Sequence, residues 1–168
     1  MNLWYLPLGE GSGDRKPIRF LQTQYSVGQG QISPDGHWMA YSSDVAGQLD
    51  VYVRPFPAGE GEWRISRTGA QQPRWRGDGK ELFFVGADGK MIAVEVRPRP
   101  GPKPGFDWGT LVPLFDTHIA STTFTSAFQY DVTKNGKRFL IAVAGNNVSG
   151  STHPPLNVVV NWNAGLKE

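Results

Sequence analysis

The chain has 168 residues, no cysteine, 17 Lys and Arg against 15 Asp and Glu, and a net charge of +2. The missing thiols exclude disulfides, thiolate catalysis and Cys-based zinc sites, and so small a charge, spread along the chain, does not favour nucleic acid, which needs several phosphate contacts on one face. Frequent Gly (21) and Pro (13), with Trp 6, Tyr 5 and Phe 9, suit short strands and tight turns, while no apolar repeat at helical spacing lies between caps.

In chain order, the first elements are two short strands, Asn2–Leu8 and Ile18–Leu21. A turn follows at Ser33-Pro34-Asp35-Gly36, preceded by Ile32 and followed by a strand-like run, His37–Ser42. Asp tolerates the conformations such a turn needs, Gly supplies a positive φ, and Pro presets the first central position. A third strand is predicted at Leu49–Pro55 and a fourth at Glu62–Ser66.

The pattern then recurs. Arg76-Gly77-Asp78-Gly79 leads into Lys80–Val85, then Lys90–Val96, then Thr110–Phe115, where Pro113 marks an edge position. Thr133-Lys134-Asn135-Gly136 leads into Lys137–Ala142 and Leu156–Trp162. Asn2–Leu8 matches Asp50–Phe56 position by position, so the opening pair reads as the third and fourth strands of a unit. The period is 43 residues from Gly36 to Gly79 and 57 from Gly79 to Gly136. The surplus includes Arg97–Gly105, four of whose nine residues are proline, read as an extended surface loop.

Four strands every ~43 residues is the blade period of a β-propeller. The expected fold is all-β, with antiparallel four-stranded blades, about three and a half of them: a half blade over 1–28, a blade over 29–72, a blade with the Pro/Gly insertion over 73–128, and an incomplete blade over 129–168. Thirteen strands fall short of four blades. Two readings stay open: blades lying upstream in a longer protein, or a homodimer that closes a ring through exposed blade edges.

Ile32–Gly36, Ala40–Asp44 and Asp50–Val53 resemble the TolB-type propeller repeat. The run Val51–Pro57, then Trp63, Pro73-Arg74-Trp75 and Gly79–Phe83, resembles the propeller that follows the kinase domain in many bacterial serine/threonine protein kinases. Tyr130–Val132, Arg138–Leu140 and Asn157 to Trp162 are similar to the end of that propeller. The resemblance implies a binding or sensory module and, through the kinase-linked relatives, an extracytoplasmic setting. It implies no chemistry, since kinase signatures are absent from the sequence.

No catalytic, cofactor or metal residue is assigned. No Gly-x-Ser-x-Gly elbow occurs, and Ser149-Gly150-Ser151 with His153 reads as a flexible loop. His37, His118 and His153 lie far apart, and Asp35, Asp44, Asp50, Asp78 and Asp88 sit where turn propensity places Asp. Residues 1–13 show no signal peptide, and no apolar run is long enough to span a bilayer as a helix. One repeated polar feature remains. Gln29, Gln72 and Gln129 fall four positions before each turn, and Gln31, Arg74 and Asp131 two later. Inner strands line the channel of a propeller, so these six are candidates for a polar mouth that binds a protein or peptide. The alternative role is bonding to neighbouring loops and water. A channel-mouth hydrolase or lyase is the competing function, and it lacks a cluster of acids and histidines.

Overall fold

The computed structural model describes residues 2–8, 16–119 and 127–143, and the backbone of 156–160; the 149–153 grouping and Trp162 lie outside them. Among the described residues, fourteen strands fall into four antiparallel sheets. The half blade pairs β1 (Asn2–Tyr5) with β2 (Ile18–Gln22). The first full blade has the order β3 (Val27–Ile32), β4 (Trp38–Ser43), β5 (Asp50–Pro55), β6 (Trp63–Arg64). The second has β7 (Ala70–Trp75), β8 (Glu81–Gly86) and β9 (Lys90–Arg99), whose far edge carries both β10 (Gly105–Trp108) and β11 (Val112–Asp116). The last sheet is β12 (Tyr130–Val132), β13 (Arg138–Ala142), β14 (Leu156–Val160).

The three aligned turns are built alike. The glycine N–H of each donates to the first residue's carbonyl, at 2.9 Å for Gly36, 2.9 Å for Gly79 and 2.8 Å for Gly136. The carboxylate or amide oxygen of Asp35, Asp78 and Asn135 accepts the N–H two residues on, each at 3.1 Å. The glycines hold φ of +75°, +71° and +71°, the left-handed region that a Cβ disfavours.

Successive side chains of a strand point to opposite faces, and both faces of the interior blades are covered. Trp38, Ala40, Val51 and Val53 enter one core with Leu82, Phe84 and Val94 of the next blade. Met39, Tyr41 and Tyr52 turn the other way, onto Leu3, Phe20 and Leu21 of the half blade. Phe83 and Val85 form a third core with Phe139 and Ile141, and the Phe83 and Phe139 rings meet edge to face at 5.1 Å. This is why the apolar runs of β4 and β8 do not alternate with polar residues. On β13 the alternation returns: Phe139 and Ile141 are buried, while Arg138, Leu140 and Ala142 are exposed.

Two local expectations change. Arg97–Gly105 is a hairpin rather than an extended loop. β9 continues to Arg99 and returns as β10, with Phe106 opposite Pro98. Phe106 is the anchor, lying 5.2 Å from the Trp38 ring and 6.2 Å from Trp75. Asp50 is not a turn residue but a wholly buried carboxylate at the start of β5. It accepts from Arg64 Nε at 2.9 Å, Ser66 Oγ at 2.8 Å and the Gly69 N–H at 3.1 Å. It therefore ties the outer strand and the crossing to the next blade to one point, and burial is sustained because its partners supply both charge and hydrogen bonds.

Candidate functional site

The inner strands β3 and β7 are each bulged at the same place. Register shifts between Gly28 and Gln31 and between Gln71 and Arg74. At each bulge a glutamine takes a left-handed backbone, φ +53° at Gln29 and +61° at Gln72. Pro73 sits inside the second bulge, where no ladder hydrogen bond is asked of it.

That backbone aims each glutamine at the next blade. Gln29 Oε1 accepts the Gln72 N–H at 2.9 Å and the Ser42 hydroxyl at 2.9 Å. Gln72 Oε1 accepts the Gln129 N–H at 2.6 Å, and Gln72 Nε2 donates to Gln129 Oε1 at 3.0 Å. Gln29 Nε2 reaches across to the Ala127 carbonyl at 3.3 Å. The Tyr130 hydroxyl, held protonated by burial, donates to the Gln72 carbonyl at 2.8 Å. The three glutamines thus form a relay between blades. Gln72 is wholly buried and Gln29 nearly so, which removes their side chains from contact with any ligand that leaves the blades in place.

The second set of candidates lies at the solvent side of this relay. Arg74 Nη1 donates to Gln31 Oε1 at 3.2 Å, and Arg74 Nε lies 3.8 Å from Asp131 Oδ1. The two full blades and the last sheet therefore contribute one polar side chain each to a single cluster. Phe128, which no sequence motif marks, completes it. The Arg74 guanidinium carbon stands 4.0 Å from the centre of its ring, a cation–π contact. The Arg74 side chain keeps 22% of its exposure and Asp131 keeps 64%. Arg74 Nε itself is buried and lacks a hydrogen-bond partner among the described residues.

A cleft of about 860 Å³ opens off the axis, at the turn end of the strands. Its walls are the β9–β10 tip at Pro100–Pro104 and the loop after β5, with His37 and Glu60. Among the described residues no three His, Asp or Glu side chains converge in the manner of a metal site.

No protein-family model matches the chain, and no curated protein does. Solved structures do. TolB from Acinetobacter baumannii superposes with a TM-score of 0.60 at 14% identity, over 96% of this chain and 38% of that one. The chain thus spans well under half the length of that structure. The likeness is one of fold, and with the all-β antiparallel sheets it makes the architecture a TolB-like β-propeller, present here in part.

Proposed function

We propose that the chain is a non-enzymatic β-propeller module that binds a protein or peptide at the axial mouth formed by Gln31, Arg74, Asp131 and Phe128. The observation that carries this reading is the convergence of one polar side chain from each of three inner strands, the middle one a partly exposed arginine stacked on Phe128. Binding sites of this kind combine an aromatic anchor with a few placed polar groups. The motif order that resembles kinase-linked propellers favours a sensory rather than a chemical role. The test is a peptide-display selection against the chain, with enriched peptides measured by fluorescence anisotropy against the protein and against Arg74→Ala and Gln31→Ala. Loss of at least tenfold in affinity in the Arg74 variant is expected; equal binding by both variants removes the mouth from consideration.

A second reading, self-association through blade faces, has its own observation. Leu140 on β13 and Trp4 and Ile18 on the half blade are exposed at 44%, 54% and 44%. The residues at the same repeat position as Leu140, Ala40 and Phe83, are wholly buried against the next blade. Sedimentation of the 18.5 kDa chain separates the outcomes: a monomer at all concentrations excludes this reading, and a dimer that Leu140→Lys dissociates supports it.

A further inference from the structure

We propose that the mouth recognises a carboxylate, taken by the free edge of the Arg74 guanidinium. This rests on the binding reading above and names its ligand chemistry. A guanidinium has five N–H donors, all in its plane, while its faces are free to stack. Phe128 holds Arg74 by a face, at 4.0 Å, and so uses none of the five donors. Gln31 takes one, at 3.2 Å. Asp131, at 3.8 Å from Nε, is too far for a hydrogen bond. The Arg74 side chain makes no other hydrogen bond among the described residues. The group is therefore clamped in orientation and undersupplied with acceptors, and the buried Nε is the donor whose missing partner costs most.

The occupant that meets this need is a planar anion with two oxygens on one side, which an arginine edge engages with two parallel hydrogen bonds. A carboxylate has one negative charge, and the site can offer one. A doubly charged phosphate would stand beside the Asp131 carboxylate with no second cation of the cluster to balance it. Asp131 also sets the terms of entry. It is the nearest anion to Arg74, it is mostly exposed, and it gives way when another carboxylate arrives. The source of the carboxylate is either a chain terminus or an acidic side chain, since both present the same two oxygens.

The experiment observes the Arg74 side-chain Nε–H resonance, assigned with Arg74→Lys, while small probes are titrated. N-acetylglycine stands for a chain terminus, the α-amide of N-acetylglutamate for an acidic side chain, and N-acetylglycinamide is the neutral control. Saturable downfield shifts with one or both acids, none with the control, and none at this site in Arg74→Gln are expected. Asp131→Asn should tighten the acid's binding severalfold by removing the competing carboxylate. An equal response to the neutral amide, or no saturation by either acid in wild type and Asp131→Asn, overturns the inference. Peptides selected at the mouth that bind equally as free acids and as amides, at both termini and side chains, would do the same while leaving the binding reading intact. Failure of any peptide to depend on the mouth removes the reading itself.

Discussion

Gln72 is the position at which the relay is most exposed to a single change. Truncation to Ala deletes the acceptor of the Gln129 N–H and the donor to Gln129 Oε1. Leaving a buried amide unsatisfied costs roughly 1–3 kcal/mol, and the void in a wholly buried site adds to it. A total of about 3 kcal/mol is expected for Gln72→Ala. Gln72→Gly loses the same contacts but relieves a residue held at φ +61°. A left-handed backbone costs a residue with a Cβ about 1–2 kcal/mol, so Gly should be the more stable of the two by about 1 kcal/mol, reversing the usual order within a strand. Urea unfolding at constant m-value reads both differences. Ala as stable as Gly or more so, or both variants within about 0.5 kcal/mol of wild type, the scale of an inconsequential surface change, would refute a strained, bonded Gln72. A double variant with Gln129→Ala should cost less than the sum of the singles, because the two amides bond each other.

Asp50→Asn should destabilise by about 3 kcal/mol, since it leaves Arg64 facing a neutral group in a partly desolvated site; thermal unfolding checks it. Phe106→Ala should cost about 3–5 kcal/mol where Phe106 packs on Trp38 and Trp75, and hydrogen exchange should accelerate first in β10. The hydrogen bond from Arg76 holds the Asp78 carboxyl down at about 2, against an ordinary 3.8. A carboxyl lowered on folding stabilises above its unfolded pKa and loses that contribution as pH falls through the folded one. Asp78→Asn should therefore flatten the stability profile between about pH 4 and pH 2, and proton-linked NMR of Asp78 should show the low midpoint.

The blades were legible because their turns carry their own chemistry. Asp35, Asp78 and Asn135, each followed by glycine, mark three hairpins whose geometry agrees to a tenth of an ångström. The apolar runs of β4 and β8 gave the strands. What escaped the sequence was governed by partners distant in the chain. The spacing of Gln29, Gln72 and Gln129 was visible, but not the left-handed backbone that turns two of them sideways into the next blade; nothing local forces a glutamine there. Arg74 was placed in the cluster, yet Phe128 was not, because an isolated phenylalanine carries no mark of the cation it meets. Arg97–Gly105 looked like a loop because its prolines lack N–H groups. In a two-stranded ribbon alternate N–H groups face outward and are not needed, so Pro98 fits. Asp50 resembled other turn aspartates until Arg64, Ser66 and Gly69 were brought to it.

The tandem cover on β9 has a consequence for how such a blade can change. β11 pairs with Lys90–Ala93 and β10 with Val96–Arg99, so the outer edge is sealed by two pieces that share no residue. The lower piece completes the blade, and the upper one carries the tip that walls the off-axis cleft. Length and sequence at that tip are thereby uncoupled from the blade's own closure. The chain holds a ready-made grafting point: a foreign loop spliced between Arg99 and Gly105 would be displayed beside the off-axis cleft on a strand pair already anchored by Phe106, without asking the four-stranded sheet to refold around it.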